Sequence, residues 1–399
     1  MSRPFIISGT GCALIDYLYS PVSFSNGAFS QFLSLKPGDG GLAPGKLVFT
    51  EEFEKFSGKD YLQSRNLITD SKQPVALNIG GPSIVSLIHA AQLLGKTNAE
   101  IYFFGSKGTD EAGRFMDEKL RHTPLKIGKY KNSAQFTPFT DVLSDPDWNN
   151  GQGERIFINN IGAAWDFLPT DLDEHFFKSD MVVFGGTALV PNIHCAIDEL
   201  LAKAKSHQAI TVVNTVYDFL NEKKNPSIAW PLGKSINSYQ NIDLLICDME
   251  EALRLAGTNS VGEAIDFFQT SGVGAAVITH GANPVHFFAQ NQLFGNIPVS
   301  QVPVSERVIC ELSNPENRTG DTTGCGDNFV GGMIASIATQ LIHSNSHSAN
   351  LKLAVALGVV SGGFACFYNG GTFYEKQAGE KAAKIESYLH DYLNQIDNV

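Results

Sequence analysis

Short apolar segments recur through the middle of the chain, with amphipathic stretches between them. Four of these segments contain no charged residue: Met181–Phe184, Ile210–Asn214, Leu244–Cys247 and Ala276–Thr279. Such runs, when helical stretches separate them, are typical of parallel strands that are covered on both faces. A further run at Pro4–Thr10 predicts an earlier buried strand. The pattern therefore predicts an α/β protein whose central, mostly parallel sheet lies between helices.

The last third of the chain has helical periodicity, and it predicts helices over 325–342, 349–367 and 376–396. The turn Gly324-Cys325-Gly326 leads into the first of them. The first N–H groups of a helix lack intrahelical partners and the helix dipole is positive there, so this end can receive an anion, phosphate above all. Asp327 falls in the first helical turn. It is either a favourable charge at a helix start or a general base that takes a proton from an attacking hydroxyl group.

Composition narrows the class of partner. The 399 residues carry a net charge of -12 with a pI near 5.3, which argues against nucleic acid or an anionic membrane as the main partner. The six cysteines are scattered without Cys-x-x-Cys spacing, which favours free thiols in a reducing compartment over disulfides or zinc. The N-terminus does not read as a signal peptide, and no apolar run approaches the length of a membrane span. We expect a cytoplasmic protein.

The segment Asp321-Thr322-Thr323-Gly324-Cys325-Gly326-Asp327 resembles the signature of the ribokinase-like carbohydrate kinases of the phosphofructokinase B type, usually Asp-Thr-x-Gly-Ala-Gly-Asp. Cys325, in place of alanine, is the only departure within it. The resemblance implies that Asp327 is the catalytic base and that the amides of Gly324, Cys325 and Gly326 form an anion hole. It also implies ATP and Mg²⁺ as cofactors, and it leaves open whether a monovalent cation is needed.

The family also has a smaller β lid beside its main domain. The resemblance implies one ribokinase-like domain over 1–399, with lid segments inserted at approximately 17–75 and 125–162. Residues 20–73 are turn-rich with short β-like runs, which suits such a lid. Lid strands in relatives often pair between subunits, so the resemblance also implies a homodimer through the lid.

The acceptor substrate is expected near the end of the first strand, because ligands of open α/β sheets bind at the carboxyl ends of strands. Asp16 lies there; it is either a solvated turn residue or, as the resemblance implies, the carboxylate that holds sugar hydroxyl groups. Gly80 and Gly81 open a helix, and in the family their amides face the substrate. Relatives carry an asparagine at the position that corresponds here to Val85, or to Ser86 if the register slips by one residue, so the pattern puts one polar contact with the substrate in doubt.

The nucleotide site is expected at the ends of the later strands. The resemblance assigns Asp248 and Glu251 to an element that supports magnesium and phosphates, largely through water, with Glu251 as the metal-associated carboxylate. The alternative is a capping acid followed by a solvated helical glutamate. Thr279 and Gly281 resemble the family's Thr-x-Gly element at the nucleotide, and Thr322 of the signature is expected to contact it too.

A loop at 313–320 departs from the family, in which a strand leads directly into the position of Asp321. Arg318 in this loop could pair with a phosphate or be solvated. The sequence as a whole predicts an ATP-dependent kinase that acts on a hydroxyl group of a sugar. The layout around 34–56 is similar to that of adenosine kinase, which makes a purine nucleoside the alternative substrate. A catalytically silent sugar or nucleotide sensor on the same fold is the alternative from another class.

Overall fold

The structure is a computed structural model that describes residues 3–36, 38–151, 153–317, 320–344 and 347–397. Its strands are β1 (Phe5–Gly11), β2 (Leu14–Tyr19), β3 (Leu47–Phe49), β4 (Ala76–Gly80), β5 (Ala99–Lys107), β6 (Lys126–Asn132), β7 (Phe139–Asp145), β8 (Glu154–Asn160), β9 (Met181–Gly185), β10 (Ile210–Asn214), β11 (Leu244–Asp248), β12 (Ala275–Thr279), β13 (Val285–Asn291) and β14 (Gly295–Val302). Its α-helices are α1 (Gly27–Ser30), α2 (Thr50–Ser57), α3 (Tyr61–Thr69), α4 (Pro82–Leu93), α5 (Glu111–Leu120), α6 (Trp148–Gly151), α7 (Glu174–Phe177), α8 (Pro191–Cys195), α9 (Ile197–Ser206), α10 (Phe219–Lys224), α11 (Met249–Ala256), α12 (Val261–Thr270), α13 (Glu306–Ser313), α14 (Cys325–His343), α15 (Leu351–Ala365) and α16 (Glu380–Asp397).

The predicted central sheet is confirmed. Nine strands lie in the order β14-β13-β12-β11-β10-β9-β1-β5-β6. All neighbouring strands from β12 to β6 run parallel, and β13 and β14 add an antiparallel hairpin at one edge. The four apolar runs of the sequence are β9 to β12. Their parallel arrangement brings their carboxyl ends to one edge of the sheet.

Both faces of this sheet are covered, as continuous apolar strands require. Leu244 and Ile246 of β11 point into a core formed with α4, α14 and α15, and Leu245 and Cys247 point into a second core formed with α9, α11 and α12. This alternation follows from the two-residue period of a strand. The three predicted C-terminal helices are present as α14, α15 and α16. Across the described residues, no helix combines the length and the apolar character that crossing a membrane demands.

A second sheet of five strands, in the order β3-β8-β7-β2-β4, forms what we call the lid sheet. The first of its strands along the chain, β2, is separated from the end of β1 by only two residues, so the chain passes directly from the large sheet into the lid sheet. The structure places β6 at the edge of the large sheet, although the predicted lid segment 125–162 includes it.

One face of the lid sheet is covered by the chain itself. Leu143, Ile156 and Ile158 on this face are buried against an aromatic cluster from the segment between β2 and β4, which includes Phe24 and Phe53. The residues that alternate with these along each strand have their side chains on the opposite face of the lid sheet, which is turned towards the large sheet. A homodimer through the lid stays a prediction, and the covered face would direct it to the edge strands β3 and β4.

Candidate active site

The turn that precedes α14 has the backbone geometry of an anion site. Gly324 is the N-cap residue and has a φ of 75°, in the left-handed region that favours glycine. A Cβ atom at this position would lie only 2.3 Å from the Cα atom of Gly371, whereas a Cβ atom at Gly326 would meet nothing within 4 Å. The Cys325 N–H makes only a long contact of 3.4 Å with the Thr322 carbonyl. Open space therefore lies beside a helix start whose first N–H groups are available to a ligand.

Asp327 lies in the first turn of α14, beside this space. Its burial raises the pKa of the carboxyl group from 3.8 to about 7. Burial has this effect because it disfavours the charged form. A carboxylate with a pKa near neutrality is well suited to accept a proton from a hydroxyl group.

Asp16 belongs to the same cleft. Burial raises its pKa to about 7, with further increases from the charges of Asp327 and Asp321, while Arg155 lowers it. We expected Asp16 just past the first strand; the structure places it within β2 of the lid sheet, between Asn78 of β4 and Thr140 of β7. The carboxylate that the sequence predicts to bind the acceptor is thus carried by the lid sheet.

Gly80 leaves room for the Asp16 side chain. A Cβ atom at Gly80 would lie 2.0 Å from the Oδ2 atom of Asp16, so any side chain there would displace the carboxylate. Gly81 approaches the chain after β1 just as closely, since its Cβ atom would lie 2.7 Å from the Cys12 carbonyl oxygen. Val85 and Ser86, the two candidate positions for the family's asparagine, are both buried, and a Cβ atom at Gly371 would lie 3.1 Å from a Cγ atom of Val85.

Arg155 links the lid to the signature turn, and sequence analysis missed it. Its Nη1 atom donates to the Thr323 hydroxyl at 3.3 Å, and its Nη2 atom lies 3.4 Å from the Oδ2 atom of Asp321. The other oxygen of Asp321 accepts from the backbone N–H groups of Thr323 and Gly370. The alternation of β8 could have revealed Arg155, because Ile156 is buried on the covered face and its neighbours must point the other way.

A cavity of 370 Å³ lies between the lid sheet and the loops of the large sheet. Its polar side chains include Asp16, Arg155 and Asp321, and its apolar and aromatic ones are Leu18, Ala76, Leu77, Val142, Phe157, Tyr368, Phe373 and Tyr374. The volume lies within the range of small-molecule sites in proteins. One charged end and a largely apolar remainder suit a ligand that has hydroxyl groups on one side and a less polar group on the other.

A buried polar network supports the signature turn from behind. The side-chain N–H₂ group of Asn328 donates to the carbonyls of Gly324 and Gly371, both at 2.8 Å. Its oxygen accepts from the Lys381 ammonium group at 2.8 Å and from the Tyr368 hydroxyl at 3.1 Å. Lys381 is almost fully buried, and burial lowers its pKa well below the usual value. Sequence analysis missed this network, because Lys381 lies in a helix that reads as solvated.

The predicted nucleotide-site residues meet at the carboxyl ends of β11 and β12, where Asp248 and Thr279 are direct neighbours in the ladder. Asp248 caps α11: its carboxylate accepts from the Glu251 N–H at 2.8 Å, and the Glu251 carboxylate accepts from the Asp248 N–H at 3.1 Å and from the Thr215 hydroxyl at 2.6 Å. Asp248 therefore has the capping role that the sequence offered as the alternative to a nucleotide-site role. Glu251, however, is buried rather than solvated. Burial, and next the charge of Asp248, raise its pKa to about 8.

The residues present fit the groups that the sequence implies. The open helix start at Gly326 fits the phosphates of ATP, since it offers N–H donors without a side chain in the way. The Glu251 carboxylate offers the hard oxygen ligands that Mg²⁺ prefers, and a nearby cation would favour its ionised form. Gly281 follows β12 with open space around it, and Thr322 is exposed in the signature turn. Arg318 lies outside the described residues.

Comparison with known proteins identifies the same family that the signature resembles. The family model described as pfkB family carbohydrate kinase matches residues 69–377. A fructokinase from Vibrio alginolyticus is 24% identical over 279 residues, which cover 68% of this chain and 81% of that protein.

Solved structures agree in fold over nearly the whole chain. A probable sugar kinase from Rhizobium etli superposes with a TM-score of 0.68 at 17% identity and covers 97% of this chain and 100% of its own. Adenosine kinase from Schistosoma mansoni in complex with 2-fluoroadenosine has a TM-score of 0.66 at 14% identity, with 94% and 98% covered. An E. coli protein provisionally named ribokinase II, in complex with ATP and Mg²⁺, has a TM-score of 0.62 at 15% identity, with 98% and 99% covered. The predicted ribokinase-like fold is confirmed.

Proposed function

Because this chain belongs to the pfkB family of carbohydrate kinases, we propose that it transfers the γ-phosphoryl group of ATP to a hydroxyl group of a sugar. The observation that carries the proposal is the position of Asp327, whose pKa is raised to about 7, at an open helix start and close to Asp16. A base, an anion site and an acceptor-site carboxylate are the parts that such a transfer needs.

Each part has a defined task in this mechanism. The Asp16 carboxylate accepts hydrogen bonds from the acceptor's hydroxyl groups and so orients it. Asp327 takes the proton of the attacking hydroxyl group. The N–H groups of Gly324, Cys325 and Gly326 donate to the phosphoryl oxygens as their charge redistributes.

The lid sheet contributes the positively charged side chain of Arg155, and it excludes water from the cleft when it closes. Arg155 is held beside Thr323 by weak contacts of 3.3 and 3.4 Å, so its guanidinium group can turn to a phosphoryl oxygen at little cost. Mg²⁺, when bound, neutralises charge on the phosphates, and Glu251 is the residue we assign to its surroundings. Asp16 and Arg155 both belong to the lid sheet, so acceptor binding and charge stabilisation are coupled to the position of the lid.

The proposal is tested by an ADP-release assay with ATP and Mg²⁺ against pentoses, hexoses, deoxy sugars and nucleosides. Turnover with one acceptor, lost on substitution of Asp327, would establish a kinase and identify its substrate. Binding of ATP without turnover of any acceptor would point to an acceptor outside the panel. Failure to bind ATP would favour the alternative of a silent sensor.

A purine nucleoside is the second candidate acceptor, and one observation favours it. The cavity beyond Asp16 has an apolar and aromatic wall that includes Leu18, Phe157 and Tyr374. Such a wall suits a planar base better than a polyhydroxylated sugar, because sugar hydroxyl groups would lose hydrogen bonds against it. The nucleosides in the assay panel distinguish the two candidates.

Substitution of Gly80 by alanine is expected to raise the KM for the acceptor about tenfold, the equivalent of one lost hydrogen bond to a charged group. The added Cβ atom would meet the Asp16 carboxylate at 2.0 Å and displace it. The KM for ATP should stay nearly constant. Gly128→Ala is the matched control, since its Cβ atom would meet nothing within 4 Å. An unchanged acceptor KM in Gly80→Ala would contradict the role of Asp16.

The rate should depend on pH with a midpoint near 7. The folded-state pKa of Asp327 is raised to about 7, so the base is protonated and inactive below that pH. We expect kcat/KM to fall roughly tenfold per pH unit on the acid side. Asp16 titrates in the same range, so the observed values belong to the pair. The Asp16→Asn variant isolates the contribution of Asp327, and a flat profile between about pH 5 and 8 in both proteins would exclude Asp327 as the base.

A further inference from the structure

Two cysteines meet directly behind the anion site. The Sγ atoms of Cys325, the first residue of α14, and Cys366, the C-cap residue of α15, lie 3.4 Å apart. They are 41 residues apart in sequence and are brought together by close packing of the two helices, since a Cβ atom at Gly362 would lie 2.9 Å from the Cys325 carbonyl oxygen. Cys325 replaces the alanine of the family signature, so the structure supplies a partner for the one unusual residue in it.

The pair has the features of reactive thiols rather than of packed core cysteines. Both residues are partly accessible, whereas Cys12 and Cys247 are buried. The hydrogen bond between the two thiol groups lowers the pKa of Cys366 to about 7 and raises the pKa of Cys325. The thiolate is the nucleophilic form of cysteine, so Cys366 is the member that reacts first.

We propose that Cys325 and Cys366 are a redox modification site, at which hydrogen peroxide forms a reversible disulfide that stops phosphoryl transfer at the adjoining anion hole. The disulfide itself is independent of the reaction assigned to the protein. Its effect on catalysis rests on the proposed kinase function.

Hydrogen peroxide is the only oxidant that formation of this disulfide requires. The Cys366 thiolate attacks one peroxide oxygen, the O–O bond breaks, and the leaving hydroxide takes a proton to become water. The resulting sulfenic acid is attacked by the Cys325 sulfur, which gives up its proton; the S–O bond breaks, the S–S bond forms and a second water leaves. Two thiols are oxidised and one peroxide is reduced to two waters.

The disulfide must alter the anion hole, because the sulfur atoms have to approach to about 2.05 Å. The Cys325 backbone carries one of the three assigned N–H donors, and the neighbouring Gly324 is already in contact with Gly371, so the turn has little free space in which to adjust. A displacement of about 1 Å in such a site can cost 10²-fold in rate. We therefore expect oxidation to lower kcat about 10²-fold and a dithiol reductant to restore it.

The experiment uses the full chain treated with hydrogen peroxide, then with an alkylating reagent, and analysed by peptide mass mapping beside the ADP-release assay. The test variant is Cys366→Ser, which removes one sulfur without touching the assigned site and should keep its basal activity. Cys310→Ser is the matched control, since this exposed cysteine lies elsewhere on the surface.

The expected result is a linked Cys325–Cys366 peptide in the parent chain and in Cys310→Ser, with activity lost and then restored by reductant. The Cys366→Ser variant should form no such link and keep its activity in peroxide. The proposal is overturned if both thiols remain alkylatable after treatment, if the link forms while activity stays constant, or if Cys366→Ser is inactivated as fast as the parent chain. The mapping does not depend on activity, so a wrong function assignment would leave the linked peptide in place.

Discussion

The Asp327→Asn variant is expected to lose between about 10² and 10⁴ in kcat, the range for removal of a general base. Asparagine has the same shape but cannot take a proton from the acceptor hydroxyl group. The KM values for ATP and acceptor should change little, because the N–H groups of the signature turn and the Asp16 carboxylate remain. Steady-state kinetics at a pH above 7, where the parent base is ionised, measure the effect.

The matched control is Asp266→Asn, which makes the same chemical change at an exposed position of α12. It should match the parent chain in kcat and in both KM values. Near-normal turnover in Asp327→Asn, with an acceptor that the parent chain phosphorylates, would remove Asp327 from the role of base. A large loss in both variants would instead indicate that the change of charge acts on the whole protein.

The Arg155→Met variant is expected to lose about 10² to 10³ in kcat, as is typical when one preorganised donor to a developing charge is removed. Methionine keeps much of the apolar stem but none of the donors. Stability should change little, because the contact with Asp321 is long and the Arg155 side chain is 33% exposed. Rapid-quench measurement of a single turnover separates this chemical effect from product release.

Two further variants test whether the loss of rate comes from the missing donors of Arg155 or from its missing charge. Arg155→Lys keeps the charge but loses the planar pair of donors, so its rate should fall between those of the parent chain and Arg155→Met. Arg121→Met, at an exposed site after α5, controls for the loss of one surface cation. If Arg155→Met raised only the acceptor KM and left kcat unchanged, Arg155 would be an acceptor-binding residue and not a donor to the phosphoryl group.

Local pattern was enough to predict the large sheet and the helices around it. The apolar runs that became β9 to β12 are short, uncharged and separated by helical stretches, so each element could be recognised from its own residues. The helix start at Asp327 could be predicted in the same way, because a glycine-rich turn and a periodic apolar run are adjacent in sequence. The helix cap at Asp248 could also be predicted from the sequence, as one of two alternatives for this residue.

The lid and its contacts could not be predicted in this way. Asp16 is paired with Asn78 and Thr140, positions distant in sequence, and no local signal states which strands will be neighbours. The same holds for Arg155, whose side chain meets Asp321 only after both sheets have formed. The hairpin of β13 and β14 was not predicted either. A buried Lys381 contradicts the usual preference of lysine for the surface, and only its tertiary partners, which include Asn328 and the rings of Tyr368 and Phe373, account for it.

The network behind the signature turn has a consequence for the order of events during synthesis. Asn328 holds the carbonyls of Gly324 and Gly371, and Lys381 completes its hydrogen bonds. A nascent chain from which Asp327 has just emerged still lacks Gly371 and Lys381, so Asn328 cannot yet form its hydrogen bonds with them. The turn can therefore reach its supported geometry only after Lys381 has left the ribosome, and chains that stop before this residue would contain the signature without that support.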